Sequence, residues 1–263
     1  MPDISQASNE ALRSAFIGGV VFNLANILLV VAIDIAGMAV AFPVAIGLAL
    51  VIGVVTNYLA SPIGDPTMLF TGVGLVTAAV IVCAMIYARL PQDEGRSVGK
   101  GLAISIIAGI AMGFFYRFVA ASISVDFANP EAGLMTPYSA GVVFGVGLLA
   151  SNLIWLIPLM YKPISGEVAP VGEYFSKGTP RLHLVGILGG VIWCVGFSFS
   201  FIASGAAGAA IAYGLGQGAT MVAAFWGVFI WREFKDAPAG TSGMIAAMFA
   251  LFIVGLSLIV YSR

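Results

Sequence analysis

The chain has 263 residues, of which 60 % are hydrophobic and 9 % charged, with a net charge of -1 and a mean hydropathy of +1.07. Soluble domains carry about 25 % charged residues, and a soluble globule of this size cannot hide so much apolar surface, so lipid must solvate most of the chain. The near-neutral charge offers no basic field for nucleic acid.

Residues 1–12 read as a short polar tail without the positive start and apolar core of a signal peptide. Eight apolar segments follow: Ser14–Ile33, Gly37–Leu59, Thr67–Leu90, Gly101–Val125, Pro137–Met160, Leu182–Ser204, Ala206–Phe229 and Ser242–Tyr261. Each has about 20 residues or more, enough at 1.5 Å per residue to cross a core of about 30 Å. Helices are the spanning element, since lipid cannot satisfy an open backbone and a β-barrel would alternate apolar and polar residues. The fold class is therefore all-α, a membrane protein of about eight transmembrane helices.

Charged and amide residues inside these spans are the informative ones, because polar groups are costly in lipid. Asn23 and Asn26 lie three apart and share one face of the first span. Asp34 sits at a tight turn before the second span, as its N-cap or as a proton or cation site for coupled transport. Tyr116 and Arg117 fall in the fourth span, Arg117 placed either to snorkel to an interface or to face a cavity. Asn152 and Trp155 repeat the three-residue spacing in the fifth span, as do Gln217 and Thr220 in the seventh. Trp193 and Tyr213 offer aromatic faces on which a sugar ring or planar heterocycle stacks. Amides bridge helices as readily as they bind solutes, and aromatics also pack or anchor at interfaces. Gly214, Gly216 and Gly218 serve close helix packing or a broken span.

Chemistry beyond binding has little support. Cys83 and Cys194 lie in apolar runs without metal-site spacing, and His183 is the only histidine, at an interface. No Ser/His/Asp set, Walker motif or phosphate loop is present. The reading is no enzyme, no cofactor and no metal.

Eight crossings divide the connections between two faces. Arg89, Arg96, Lys100, Lys162, Lys177, Arg181, Arg232 and Lys235 fall on one face, Arg13 and Arg263 on the other, with Arg117 inside a span. The positive-inside rule makes the first face cytoplasmic and both termini extracytoplasmic. A bacterial inner membrane is the expected location.

Two stretches resemble each other at an offset of 171: Gly18-Gly19-Val20 with Gly189-Gly190-Val191, Ala36-Gly37 with Ala207-Gly208, and Gly47 with Gly218. Five spans separate the copies, so the copies are inverted, a device of secondary transporters. The organisation expected is a tail (1–12), an incomplete first repeat of three helices (13–90), a cytoplasmic linker (91–100) and a complete second repeat of five (101–263).

The run from Gly189 to Trp193, the run Ala206–Thr220 and the closing Phe225-Trp226-Gly227-Val228-Phe229-Ile230-Trp231-Arg232-Glu233-Phe234 resemble the last spans of the drug/metabolite transporter superfamily. The resemblance is nearest to its branch of glucose/ribose porters, L-rhamnose–proton symporters and ureide permeases. It implies two inverted five-helix units and import of a small polar solute, a sugar or a ureide-like heterocycle. Relative to that pattern two leading spans are missing. A second copy, a partner protein or missing N-terminal helices are then expected to cover the exposed faces, and a non-transporting membrane subunit is the alternative function.

Overall fold

A computed structural model describes residues 2–90, 97–127, 129–235 and 237–263. Among the described residues, eight helical stretches are long and apolar enough to cross a membrane. A short α1 (Pro2–Gln6) leads into α2 (Asn9–Ala36), α3 (Met38–Ala60) and α4 (Pro66–Tyr87). Then come α5 (Val98–Ala120), α6 (Pro137–Asn152), α7 (Leu156–Tyr161), α8 (Val171–Ser176) and α9 (Pro180–Ala207). The chain ends with α10 (Ala209–Gly216), α11 (Gly218–Phe225), a π turn (Trp226–Ile230) and α12 (Thr241–Tyr261). Among the described residues the only extended pairing is an isolated bridge between Ile123 and Met135.

Both chain ends lie on one face. Ser8 donates its N–H to the Gly133 carbonyl in the α5–α6 connection, and Asp65, between α3 and α4, donates to the Ser262 carbonyl. We call this the termini face. The opposite, basic face is tied by Lys100 Nζ to the Ile164 carbonyl (3.0 Å) and by Arg89 to the Ala239 carbonyl (3.4 Å).

Small residues set the helix spacing. A Cβ on Gly18 would lie 2.7 Å from Val119 of α5, and one on Gly19 would lie 2.2 Å from the Phe144 carbonyl of α6. The α2 backbone therefore rests directly on both neighbours, where close contact substitutes for the hydrophobic drive that lipid removes. Gly72 and Gly255 join α4 to α12 in the same way, each facing the other's carbonyl. By contrast α9 buries a single residue, Phe201.

Several expectations need correction. Residues 1–12, expected as a short polar tail, carry helix: α1 occupies most of the first half and α2 begins at Asn9. Asp3 explains why, since its carboxylate accepts the Thr136 N–H (3.0 Å) and hydroxyl (2.7 Å). Asp34 does not cap the second span: α2 runs on to Ala36, and the break falls at Gly37, whose φ of 82° suits glycine. The fifth span is not continuous, because Leu153–Trp155 form a turn between α6 and α7. Pro158 lacks the N–H that would bond the Ile154 carbonyl, which removes one rung of a continuous helix there. In the seventh span, where close packing or a break were the two readings, the helix is interrupted at Gln217 between the weak helix formers Gly216 and Gly218. Of the expected linker 91–100, residues 91–96, including Arg96, lie outside the described residues, and Val98, Gly99 and Lys100 open α5.

Candidate functional site

The break at Gln217 marks the site. A cavity of about 390 Å³ lies between α2, α5, α9 and the broken α10–α11 helix, within the range of small-molecule sites. Its walls are aromatic: Phe22 from α2, Phe115 and Tyr116 from α5, Trp193 and Phe197 from α9, and Tyr213 from α10. Trp193 and Phe197 stack with centroids 4.6 Å apart, and Phe197 continues the stack to Phe144 at 5.4 Å and Phe115 at 5.8 Å. Tyr116 and Tyr213 meet edge to face at 5.3 Å.

These rings are held by hydrogen bonds across helices. The Tyr213 hydroxyl, fully enclosed, lies 3.1 Å from both the Ala49 and Met112 carbonyls. Gly53 makes room for it, since a Cβ there would come within 2.1 Å of the ring. Tyr116 donates to the Ser200 carbonyl at 2.9 Å, with the Ser200 hydroxyl 3.3 Å away.

Polar groups left for a ligand are few. Gln217 and Ser200 line the cavity beside the aromatics. An unengaged glutamine amide offers two donors and one acceptor oxygen. Among the described residues no charged side chain lines this cavity. The arrangement fits a neutral, flat solute that stacks on rings and pairs with one amide.

The sequence-derived candidates divide accordingly. Tyr116, Trp193, Tyr213 and Gln217 come together in the cavity. Thr220 faces a separate groove with Phe42 and Tyr87, its hydroxyl donating to the Gln217 carbonyl at 2.5 Å. Arg117 lies in a second chamber nearer the termini face. Asn23 is a helix bridge: its amide donates to Ser151 Oγ (2.9 Å), Asn152 Oδ1 (3.1 Å) and the Leu148 carbonyl (3.3 Å). Asn26 is exposed. Asn26, Arg117 and Gln217 thus do not share one cavity. Trp155 sits at the α6–α7 break, with its indole N–H buried and unpartnered among the described residues. Asp34 is exposed near the basic face and accepts the Ser165 hydroxyl.

Sequence reasoning passed over Phe22, Phe115, Phe197 and Ser200, which look like ordinary core in a chain with 18 phenylalanines. It also passed over Asn57, an amide inside an apolar run, for which the logic applied to Asn23 would have served.

The Trp226-Gly227…Glu233-Phe234 motif acts at the basic face. Glu233 folds back over Gly227, where a Cβ would meet its carboxylate at 2.7 Å. That carboxylate accepts the Tyr87 hydroxyl at 2.9 Å, and Phe234 meets the Tyr87 ring edge to face at 5.2 Å. The motif thereby ties the end of α4 to the π turn.

Comparison with known proteins bears on this architecture. The profile of the ureide permease family matches residues 92–262. Ureide permease 4 of Arabidopsis thaliana is 22 % identical over 314 aligned residues, covering 94 % of this chain and 77 % of that protein. Ureide permease 1 is 21 % identical over 98 % of this chain and 80 % of its own length. Ureide permease 5 is 22 % identical over 70 % of this chain, which spans 45 % of that relative. No solved structure matches. With well over half of its length matching the family profile, and with eight helices among the described residues long and apolar enough to cross a membrane, the chain belongs to the ureide permease family, membrane transporters of small polar solutes and not enzymes.

Proposed function

We propose that the protein takes up a neutral ureide or nucleobase-like heterocycle, binding it in the cavity between α2, α5, α9 and α10. The observation that carries this reading is the cavity's composition: aromatic walls, the Gln217 amide and, among the described residues, no charged lining residue. Planar heterocycles stack on rings and present the donors and acceptors an amide can pair. The relatives' own names point to the same solute class.

An inverted repeat, 13–90 against 101–263, supports alternating access around this cavity. In its favour, α2 and α9 are each 28 residues long, cross in opposite directions and end at Gly37 and Gly208, 171 residues apart. Further helices, from a second copy or another segment, then cover α9. The basic face is cytoplasmic and both termini are outside. Impermeant labelling of a cysteine placed at Ser97, in a chain freed of Cys83 and Cys194, tests that orientation; labelling from outside intact cells would reverse it.

The functional test is uptake into proteoliposomes with a panel of radiolabelled hydantoin, uracil and glucose. Hydantoin or uracil should enter faster than into protein-free vesicles, and Gln217→Leu should slow entry by about tenfold, the loss of one buried amide pair. Glucose entering while both heterocycles do not would replace this reading with a sugar carrier.

A further inference from the structure

The connection between α7 and α9 has two parts. The first is fastened to the protein: the Ala169 N–H donates back to the Met160 carbonyl at 3.0 Å, Lys100 holds the Ile164 carbonyl and Asp34 accepts the Ser165 hydroxyl. The second is α8, which buries no residue. Val171, Tyr174 and Phe175 lie three and four positions apart and share one face, with Glu173, Ser176 and Lys177 opposite. Phe175 is 74 % exposed and Tyr174 55 %. Covering one such ring is worth about 1.5–3 kcal/mol, so an apolar medium belongs on this face.

The place of α8 in the fold decides what covers it. Ser176 stands four residues before Pro180, the first of α9, so the two are within about 14 Å of each other. The link folds back further. A Cβ on Gly178 would meet the Tyr174 carbonyl at 2.2 Å and His183 Nε2 at 2.5 Å, and the Tyr174 ring lies 4.6 Å from that of His183. With 28 residues, α9 is about 42 Å long and outreaches a hydrocarbon core of about 30 Å. Thr179, Arg181 and His183 make its first turn polar, which sets that turn, and α8 with it, at headgroup level. Lys177 is paired with Glu173 at 2.9 Å. No ion pair engages the exposed Lys162 or Arg181 among the described residues, and Glu167 is the other exposed acid of the connection.

We propose that α8 is a membrane-surface anchor, with Tyr174 and Phe175 inserted into the headgroup layer of the leaflet at the basic face and lipid phosphates meeting Lys162 and Arg181. Tyrosine suits that layer because its ring is apolar and its hydroxyl can stay wet. A short helix with one aromatic face and one charged face lies in the plane of such an interface. Phospholipid is already at this level, whereas a second copy or another protein would have to displace it. The anchor acts on α9, whose side chains the rest of the chain leaves bare: the Tyr174–His183 contact ties the basic end of α9 to lipid. The inference does not depend on which solute crosses.

A nitroxide label on Phe175→Cys tests it, in the full chain freed of Cys83 and Cys194 and placed in vesicles of phosphatidylcholine and phosphatidylglycerol. Ser176→Cys, on the opposite face, is the reference, and Tyr174→Cys repeats the reading should Phe175→Cys fail to fold. Elution volume and helical circular dichroism report the fold. Relaxation by oxygen, which concentrates in lipid, is compared with relaxation by a water-soluble nickel chelate. The Phe175 and Tyr174 labels should lie about 5–10 Å inside the bilayer surface, and the Ser176 label should stay open to nickel. Nickel reaching Phe175 as readily as Ser176 would put α8 in water and overturn the anchor. A Phe175 label shielded from both reagents would mean that protein covers it and would overturn the anchor as well. Dipolar broadening that vanishes on dilution with unlabelled chain would then identify the cover as a second copy, and its absence would identify it as another segment of the same chain.

Discussion

Helices α2 and α9 are both 28 residues long, and each ends at a glycine with positive φ, Gly37 at 82° and Gly208 at 86°. The N–H of each glycine closes on a carbonyl four residues back, that of Ile33 at 2.8 Å and that of Ser204 at 2.9 Å. Both carry a Gly-Gly-Val step at the same register. In α2 that step seats α5 and α6, whereas a Cβ on Gly189 or Gly190 would meet nothing within 4 Å. Asn23 bridges to α6, and the residue 171 positions on, Cys194, is exposed. A glycine notch is thus permission for close packing and does not by itself create it. In water the bare α9 would be untenable, with Leu184 69 % and Ile192 65 % exposed, but lipid is as apolar as leucine and tolerates it.

This contrast can be broken by substitution. The largest effect is expected at Gly19: Gly19→Ala should destabilise the folded chain by about 1–3 kcal/mol, since backbone and not a flexible side chain blocks the added carbon. Thermal melts in detergent would show it. Asn23→Leu comes next, at about 0.6 kcal/mol and no more than about 1.7, the range for interhelical hydrogen bonds in membranes. Gly190→Ala should stay within about 0.5 kcal/mol of the wild type in a monomeric particle, where α9 is bare; a loss comparable to that of Gly19→Ala would mean that the further helices proposed above already cover α9 in the particle measured.

A smaller effect involves the tie between α1 and the start of α6. Burial acts to raise the Asp3 pKa, but hydrogen bonds from Ser139, from the Thr136 hydroxyl and from the Thr136 N–H prevail and hold it at about 2. A depressed carboxylate stabilises above its unfolded value of 3.8 and loses that contribution as pH falls through about 2. Asp3→Asn should therefore melt slightly below the wild type at pH 5 and converge with it toward pH 2. A constant gap across that range would contradict the assignment.

How far the fold was legible follows from these particulars. Eight runs of about 20 apolar residues announce eight crossings, because nothing else satisfies their backbone in lipid. Their ends are less legible. Asp34 looks like a turn by charge, yet at the end of α2 it reaches Ser165, and Gly37 decides the break by its conformation. Hydropathy is blind to the interruptions at Leu153–Trp155 and Gln217, since broken and intact helices have the same composition. The site was half legible: aromatics and an amide on different spans pointed to Tyr116, Trp193, Tyr213 and Gln217. Asn23 and Asn152 satisfy each other instead, a pairing that only the packing of α2 on α6 reveals.

The central claim is that solute passes through the cavity beside the exposed α9. Gly196 lines that cavity, and a Cβ there would meet nothing within 4 Å; the same space surrounds Gly186, which lies on α9 away from the cavity. Hydantoin uptake should be abolished in Gly196→Trp, whose indole fills the cavity, and unchanged in Gly186→Trp, with both variants folded. Uptake at the wild-type rate with Gly196→Trp in place would show that the solute takes another path.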